Sequence, residues 1–395
     1  MTTTESAASS LGYPSAELQA RGAGHTSREI AQQPALWREV ERAVEARRAE
    51  VAAFLQPLLA REDLRIILTG AGTSAFAGEV LATDLGRHLG RRVEAIATTD
   101  LVSNPREHFS GDQPTLLVSF ARSGDSPESL AATRLADELL SDCHHLVVTC
   151  NVEGQLYRDH HGSERSLVLT MPAEANDHGF AMTSSFTCML LTVLSTLRGS
   201  AEDASVVERL ARACEQVLSD RADAVRELGS RGYERIVYLG SGPLKGLARE
   251  SALKMLELSA GRVATWFDSP LGFRHGPKSI LDPNTLVVVY VSNDPHTRLY
   301  DLDIVTELRA ARPARDVIAI GAVPDERLFG DNSWLLPDLA DVDDVHLAVP
   351  LVVCAQLLAL HVSLALGKTP DNPFPDNAVN RVVQGVTIHP APGRP

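Results

Sequence analysis

Short apolar runs alternate with longer amphipathic segments in two series along the chain. We predict a strand at each run and a helix in the segments between them. The first series has predicted strands at residues 65–69, 92–97, 115–120, 145–149 and 166–170, and it ends in a helix over 182–197. Strands that alternate with helices in this way form an open parallel sheet with helices on both faces. The first series therefore predicts a doubly wound α/β domain.

The same organisation starts again further along the chain. The second series has predicted strands at residues 235–239, 263–267, 285–291, 316–320 and 333–336, with helices over 243–261, over 298–311 and from His346 onwards. Two such series indicate an internal duplication, although few residues are identical between them. The predicted boundaries are a tail and helical lead-in at 1–60, a first α/β domain at 61–200, a helical connector at 201–230 and a second α/β domain with a C-terminal tail at 231–395. We expect the first 21 residues or so to be disordered.

Two loops rich in glycine and hydroxyl side chains follow strands of the first series. One spans residues 70–74 and the other 122–127, and a helix is predicted directly after each. Such a junction directs backbone N–H groups and hydroxyls to the carboxyl edge of a sheet, where the helix N-terminus favours an anion. A sugar phosphate fits there, and the candidate binding residues are Gly72, Thr73, Ser74, Arg122, Ser123, Gly124 and Ser126.

A purely structural role is compatible with the same loops. Ser126 followed by Pro127 is suited to cap the next helix, and capping uses the same geometry as phosphate binding. For Arg122, pairing with the phosphate and a surface ion pair are both open. Neither loop has the lysine and spacing of a nucleotide P-loop, and Gly70-x-Gly72 is too short for the dinucleotide fingerprint.

Three charged residues lie on one face of the long helix predicted in the second series. Glu250, Lys254 and Glu257 stand at offsets of four and seven, which places them within an arc of about 60°. His275 follows in a loop flanked by glycine and proline. A carboxylate, a fixed cation and an imidazole together are suited to proton transfer on a carbonyl compound. The alternative is an ordinary solvated face with i,i+3 and i,i+4 ion pairs.

Charge and composition narrow the classes of partner. The net charge is −14, so we do not expect the protein to bind nucleic acid. The five cysteines are scattered and odd in number, which is typical of a reducing, cytoplasmic compartment. The N-terminus lacks the features of a secretory signal. The longest apolar run, residues 345–366, is interrupted by polar residues and proline, so we expect no membrane-spanning segment.

Two short clusters contain potential metal ligands, Cys143-His144-His145 and His160-His161. Adjacent residues rarely converge on one ion without a second cluster at a suitable spacing, and the sequence shows none. We therefore expect no metal site, and no cofactor.

Weaker signals concern residues near these motifs. Arg274 and Lys278 flank His275 and are further candidates for pairing with a phosphate. His178, in the loop 176–179, fits either a turn or a substrate contact. Trp266, Phe267 and Trp334 are predicted to lie in the core.

The motifs together resemble the sugar isomerase (SIS) family, and specifically proteins with two SIS domains, such as the isomerase half of glucosamine-6-phosphate synthase. The resemblance extends from about His25 to the C-terminus and rests on residues 72–74, 122–126, 250–257 and 275–277. It implies an α/β fold with two SIS-type doubly wound domains, each with a mainly parallel sheet flanked by helices.

Within this family, the tail segments 371–375 and 380–385 and the loop 119–129 most resemble the galactosamine-6-phosphate deaminase/isomerase group, also labelled tagatose-6-phosphate ketose/aldose isomerase. Two features differ from the synthase. The glutaminase domain and its N-terminal cysteine are missing, so glutamine is not the expected nitrogen source. Gln384 stands where the synthase has a catalytic lysine in its tail.

The resemblance implies an enzyme of amino-sugar catabolism that converts galactosamine 6-phosphate to tagatose 6-phosphate and ammonia, and a homodimer. The implied role of His275 is to open the sugar ring, and by resemblance to the synthase it is expected to reach the site of the neighbouring subunit. Glu257 would transfer the proton from C2 to C1, Lys254 would stabilise the enolised oxygen, and Glu250 would orient Lys254.

Two other functions remain open from the sequence. The same enolisation on a 2-hydroxy substrate is aldose/ketose isomerisation, for instance of tagatose 6-phosphate, and Glu257 alone does not separate the two activities. The third function is a non-catalytic sugar-phosphate sensor, since SIS folds also occur in regulators. A sensor has no need to keep Glu257, Lys254 and His275 together.

Overall fold

The computed structural model describes residues 9–199, 203–383 and 385–390. The helices are α1 Ser15–Ala20, α2 Gly24–Ala31, α3 Gln33–Ala46, α4 Arg48–Leu59, α5 Thr73–Leu89, α6 Thr98–Ser103, α7 Pro105–His108, α8 Pro127–Leu139, α9 Gln155–His160, α10 Ser184–Arg198, α11 Asp203–Asp220, α12 Ala222–Gly229, α13 Pro243–Leu258, α14 Pro270–Phe273, α15 Pro295–Ala311 and α16 Asp344–Ala365. Short 3₁₀ turns occur at Ala173–Ala175, Pro277–Ile280 and Ala314–Asp316.

The strands are β1 Ser9–Ser10, β2 Tyr13–Pro14, β3 Arg65–Thr69, β4 Arg92–Ala95, β5 Thr115–Ala121, β6 Cys143–Thr149, β7 Ser166–Thr170, β8 Arg235–Leu239, β9 Ala264–Asp268, β10 Thr285–Tyr290, β11 Val317–Gly321 and β12 Ser333–Leu335. Strands β1 and β2 form a small antiparallel pair. The predicted disorder of the first 21 residues is therefore wrong for the described residues 9–20, which form β1, β2 and α1.

The chain folds into two compact units. The first, called here the N-terminal unit, contains the described residues of Ala35–Asn176, Ser184–Val207 and Val379–Pro395. The second, the C-terminal unit, contains the described residues of Met1–Pro34, Asp177–Thr183 and Glu208–Ala378. The start of the chain and the loop 177–183 thus pack with the second sheet, an exchange of segments that the order of strands and helices along the sequence does not reveal.

The N-terminal unit is built on a five-stranded sheet in the order β4-β3-β5-β6-β7, and every neighbouring pair is parallel. All residues of β3 and β5 are buried, because central strands of such a sheet are covered on both faces. Ile67 and Leu117 belong to one buried cluster of this unit, and Val147 belongs to another. The predicted doubly wound α/β architecture is confirmed for this unit.

The C-terminal unit has a second five-stranded sheet in the order β12-β11-β10-β8-β9, again parallel throughout. Strand β9 is an edge strand, and its residues are partly or fully exposed. The core includes Val237, Val289 and Ile304, from two strands and α15. The two sheets therefore confirm the predicted fold class for both halves of the chain.

Helix α16 is long and apolar enough to cross a membrane by length and composition. Pro350 lies inside this helix without ending it, so the expected interruption of the run 345–366 by proline is wrong. Every residue of the most apolar stretch of α16 is buried inside the protein. An all-round apolar helix that is buried in this way is the core helix of its unit.

Candidate active site

Helix α13 begins as the sequence predicts. Gly242 precedes it with φ of +55°, a conformation that favours glycine, and Pro243 occupies the first turn. Gly240 lies so close to the helix that a Cβ there would be 2.3 Å from the Leu244 carbonyl oxygen. The helix ends at Leu258, and Gly261 follows in a left-handed conformation.

Glu250, Lys254 and Glu257 form one ion-pair cluster on α13. The Lys254 ammonium lies 3.4 Å from Glu250 Oε1 and 2.5 Å from Glu257 Oε2. The side chains of Glu250 and Lys254 are fully buried, whereas that of Glu257 is 24% exposed. The alternative of an ordinary solvated face is therefore wrong. Charged groups taken out of water need compensating partners, and a cation between two carboxylates provides them.

The rest of the buried face of α13 fixes the position of this cluster. The Ser251 hydroxyl donates to the Leu247 carbonyl oxygen at 2.8 Å and is also hydrogen-bonded to the Tyr290 hydroxyl at 2.7 Å. Tyr290 stacks on Tyr238 with 6.4 Å between ring centroids. Both tyrosines are fully buried, so Glu250 and Lys254 are held on a rigid, packed helix face.

His275 lies in an exposed turn after α14. The Ser269 side chain caps α14 by accepting from the Gly272 N–H, and Gly276 has φ of +117°. Arg274 and Lys278, the flanking candidates for a phosphate, both pair with Glu307. Hydrogen bonds from Lys278 and then Arg274 lower the pKa of Glu307. These two cations are thus engaged with a carboxylate, while the His275 side chain is exposed to solvent.

The first candidate phosphate loop, in the N-terminal unit, is a tight junction between β3 and α5. Gly72 has φ of +56°, and no atom lies within 4 Å of the place where its Cβ would be. Thr73 and Ser74 form the first turn of α5, and both side chains are buried. The space next to Gly72, at a helix N-terminus, is the geometry that the sequence predicts for an anion site.

The second candidate loop follows β5 and leads into α8. Ser126 occupies the N-cap position and Pro127 the first turn, but the Ser126 side chain makes no capping hydrogen bond. Capping by the Ser126 hydroxyl is therefore wrong. Gly124 has φ of +71°, and the Ser123 hydroxyl accepts from the Asp125 N–H at 3.3 Å. The loop thus uses helix-cap geometry without a side-chain cap.

Arg122 is a buried side chain that contacts the C-terminal tail within the N-terminal unit. One of its terminal nitrogens donates to the Arg381 carbonyl oxygen at 2.9 Å. Arg122 is only 7% exposed, so it is not at the surface, as the alternative from the sequence required. The tail residue Gln384 lies outside the described residues.

A third loop supports Ser123 and was not predicted from the sequence. The Asn151 side chain donates to the Ser123 carbonyl oxygen at 2.8 Å, and the Leu156 N–H donates to the Gly124 carbonyl oxygen at 2.9 Å. Gly154 approaches this loop so closely that a Cβ there would be 2.5 Å from the Ser123 carbonyl oxygen. The turn signal Asn151 to Gly154 was visible in the sequence, but its contact with Ser123 depends on the pairing of β5 with β6.

A buried glutamate in the C-terminal unit holds the backbone of the loop that contains His178. Glu29 Oε1 accepts from the backbone N–H groups of His178 at 2.6 Å and of Gly179 at 3.1 Å. Burial, and then the neighbouring Asp177 carboxylate, raise the pKa of Glu29 to about 7, against the opposing effect of the two N–H groups. Asp371 accepts from Thr26 in the same unit. The backbone of His178 therefore has a structural role, and its side chain is exposed.

Comparisons with known proteins agree with these motifs. Residues 58–197 match the SIS domain family. The AgaS protein of Streptomyces coelicolor is 61% identical over 92% of this chain and 95% of that protein. The D-galactosamine-6-phosphate deaminase AgaS of Escherichia coli is 47% identical over 92% of this chain and 95% of that protein. The crystal structure of tagatose-6-phosphate ketose/aldose isomerase from Escherichia coli has a TM-score of 0.87 and 45% identity, and covers 92% of this chain and 96% of that chain.

These matches span nearly the whole chain and confirm the family that the motifs predict. The chain therefore belongs to the AgaS family of SIS-domain proteins.

Proposed function

We propose that the protein is an amino-sugar phosphate deaminase/isomerase that converts galactosamine 6-phosphate and water to tagatose 6-phosphate and ammonia. The observation that carries this proposal is the cluster on α13, in which a fully buried ammonium contacts a carboxylate that is still partly open to solvent. The relatives named as galactosamine-6-phosphate deaminases support the choice of substrate. A soluble sensor gains nothing from a buried cation between two carboxylates, since burying these charges destabilises the fold.

The reaction begins with ring opening. The substrate is a cyclic hemiacetal, so a proton must leave the C1 hydroxyl while the ring oxygen gains one. His275 is suited to this exchange, because an imidazole can both give up and take up a proton and this side chain is exposed. The product of the step is the open-chain aldehyde with an amino group at C2.

Glu257 then removes the C2 proton and returns it at C1. The electron pair of the C2–H bond forms a C1–C2 double bond while the aldehyde oxygen takes up a proton. Reprotonation at C1, with loss of one proton from the amino group, then leaves a C2 imine next to a C1 hydroxyl. Water adds to the imine carbon, the carbon–nitrogen bond breaks, and ammonia leaves with a ketone at C2. The partial exposure of Glu257 supports this role, because a general base must reach the substrate.

Lys254 and Glu250 support the proton transfer. Negative charge develops on the aldehyde oxygen as the C2 proton leaves, and a fixed ammonium in a water-poor site stabilises it. Glu250 is fully buried and lies 3.4 Å from the ammonium. We assign Glu250 the role of positioning Lys254, since a buried carboxylate holds the cation in place without contacting the substrate.

The two loops of the N-terminal unit are proposed to hold the phosphate. Gly72, Thr73 and Ser74 would bind it at the N-terminus of α5. The second loop would bind the phosphate through Arg122, Ser123, Gly124 and Ser126. The open space at Gly72 and the Ser126 hydroxyl, which is not used for capping, support this assignment.

Incubation with galactosamine 6-phosphate, and separately with glucosamine 6-phosphate, tests the proposal. Free ammonia and ketose phosphate are measured in each reaction. The proposal predicts equimolar ammonia and ketose from galactosamine 6-phosphate. Absence of ammonia from both substrates would refute deamination.

A second candidate function is aldose/ketose isomerisation of a sugar phosphate, because a solved relative is named a tagatose-6-phosphate ketose/aldose isomerase. The same transfer by Glu257 from C2 to C1 of a 2-hydroxy aldose gives a ketose without ammonia. Interconversion of tagatose 6-phosphate and its aldose, in the absence of any ammonia from amino sugars, would favour this function.

We further propose a cytoplasmic homodimer. All five cysteines are buried and none is in a disulfide, which fits a reducing compartment. Trp266 lies on the edge strand β9 and is 44% exposed, so its predicted place in the core is wrong. Leu271, in the helix before His275, is also exposed. Large apolar side chains at an open sheet edge are typical of an interface, and a partner bound there would lie near the exposed His275.

A further inference from the structure

Three potential metal ligands converge in the N-terminal unit, away from the loops already described. Asp137, Cys143 and His145 each offer one ligand atom, and these atoms all lie within 4.8 Å of one another. We propose that this cluster binds a zinc ion with a structural role. The proposal does not depend on the proposed reaction.

The fold supplies the second ligand cluster that the sequence does not show. Successive residues of a strand point to opposite faces, so Cys143 and His145 share one face at the start of β6. The preceding helix α8 contributes Asp137, and α9 ends with His160. The His145 and His160 rings lie 4.5 Å apart between centroids. Three side chains with ligand atoms close together, and His160 beside one of them, thus come from three consecutive elements.

The hydrogen bonds within the cluster leave one nitrogen of His145 without a partner among the described residues. His145 Nε2 is hydrogen-bonded to Asp137 Oδ1 at 2.8 Å. In the part of the chain that the structure describes, the other ring nitrogen, Nδ1, is buried and has no hydrogen-bond partner. His145 is only 2% exposed, so solvent does not satisfy this nitrogen. A buried polar atom without a partner is costly, and a metal ion would satisfy it.

The ligand types favour zinc. A thiolate and imidazole nitrogens are usual zinc ligands, and Asp137, hydrogen-bonded to Nε2 of His145, has the place of the carboxylate that orients a ligating histidine in such sites. Bond lengths of about 2.0–2.3 Å place tetrahedral ligand atoms roughly 3.3–3.8 Å apart, so shifts of about 1 Å would close the cluster on an ion. Binding would release the Cys143 thiol proton, because the thiolate is the ligand.

The position of the cluster points to a structural ion. Cys143 and His145 lie at the amino end of β6, whereas the loop 122–126 follows the carboxyl end of the neighbouring strand β5. A bound ion would connect α8, β6 and α9. Through the hydrogen bond of His160 Nδ1 to the Ser166 hydroxyl at 3.0 Å, it would also be linked to β7.

The test uses full-length, chelator-treated protein titrated with Zn²⁺. We expect one tightly bound zinc per chain by equilibrium dialysis with elemental analysis, and a higher Tm with zinc than without. Substitution of cobalt for zinc should give a thiolate-to-cobalt charge-transfer band. Cys143→Ser should remove this band and weaken zinc binding by at least about tenfold, since the thiolate is a principal ligand. Asp137→Asn, at a side chain that is half exposed, should weaken it about 10–100-fold.

His144→Asn is the matched control. His144 is the neighbour of both proposed β6 ligands but lies on the opposite strand face, where its ring is 6.2 Å from that of Phe54. This variant should bind zinc like the wild type. Circular dichroism of each variant checks that it is folded, and Asp137→Asn serves as the folded test if Cys143→Ser is not. Zinc binding and Tm shifts that are equal in wild type, the Cys143 and Asp137 variants and the control would overturn the proposal, as would the absence of any tight zinc binding to the wild type.

Discussion

The ammonium of Lys254 lies 2.5 Å from the carboxylate of Glu257, one helical turn later on α13. The proposed base and the proposed cation are therefore one physical unit, and a change in either side chain alters the surroundings of the other. Effects of residues that act as a unit are not additive. The double variant Glu257→Gln with Lys254→Met should consequently lose little more activity than the more damaging single variant.

Glu257→Gln should lower kcat for ammonia release by about 10²–10⁴-fold, the usual contribution of a general base. The amide has nearly the same shape but does not accept the C2 proton. Binding of tagatose 6-phosphate, measured by calorimetry, should be almost unchanged, because the phosphate loops are in other elements. Glu234→Gln, at an exposed glutamate, is the control. Undiminished turnover in Glu257→Gln would rule out Glu257 as the base.

Lys254→Met should destabilise the protein by about 3–5 kcal/mol, because it leaves the fully buried Glu250 without its cation. Urea unfolding of the variant and the wild type measures the difference in the free energy of unfolding. Adding Glu250→Gln to Lys254→Met should restore much of the loss, since the unpaired charge is then removed. Lys245→Met changes an exposed lysine of the same helix and should have little effect. Equal effects of the two lysine variants would contradict the burial argument.

Mixed dimers test whether His275 acts in the neighbouring subunit. Glu257→Gln and His275→Ala should each be nearly inactive alone. In a hybrid of the two, the intact Glu257 of one chain meets the intact His275 of the other, so co-refolding at equal amounts should restore about a quarter of the wild-type rate. Co-refolding Glu257→Gln with Lys254→Met should restore nothing, because both residues lie on the same helix. If the first mixture also stays inactive, His275 does not act across subunits.

Gly154→Ala should raise KM for the sugar phosphate by about tenfold or more, because small displacements of binding groups are costly. The new Cβ would lie 2.5 Å from the Ser123 carbonyl oxygen and 3.0 Å from the Gly124 Cα, so the loop must move. Gly111→Ala is the control, since no atom lies within 4 Å of its Cβ position. Steady-state kinetics of both variants should separate them; identical KM values would show that Gly154 does not position the loop.

The sequence predicts the strands of the fold more fully than the surroundings of the candidate site. Strands β3, β7 and β8 begin and end at the predicted residues, because buried parallel strands are apolar runs bounded by turn signals. The spacing of Glu250, Lys254 and Glu257 predicts that they share a helix face. It does not predict that the face is buried, since a solvated face has the same spacing.

Contacts between segments that are far apart in the chain could not be predicted from the sequence either. The hydrogen bond between Arg122 and Arg381 and that between Asn151 and Ser123 join residues 259 and 28 positions apart. Neither pairing leaves a local signal, because the first depends on where the C-terminal tail lies and the second on the pairing of β5 with β6. Asp137 and His145 are only eight positions apart, but their contact depends on how α8 packs next to β6.

Stability should depend on pH through Glu29. The pKa of Glu29 is raised to about 7 in the folded protein, chiefly by burial, compared with 4.5 ordinarily. Between these values the folded state binds more protons than the unfolded state, so the free energy of unfolding should fall as pH rises from about 4.5 to about 7. Glu29→Gln removes this titration, and its carbonyl oxygen still accepts from the His178 N–H. The stability of the variant relative to wild type should therefore be greater at pH 8 than at pH 5, by up to about 3 kcal/mol.

Urea unfolding of Glu29→Gln and wild type at both pH values measures this difference. The control is Glu39→Gln, an exposed glutamate whose substitution should shift stability equally at pH 5 and pH 8. The two N–H groups that donate to Glu29 favour its ionised form, whereas burial and Asp177 favour the protonated form. A stability difference that is the same at both pH values would mean that the N–H groups prevail and that Glu29 is ionised throughout. A difference that grows with pH would mean that burial prevails, and that the loop 177–183 is held most firmly in mildly acidic solution.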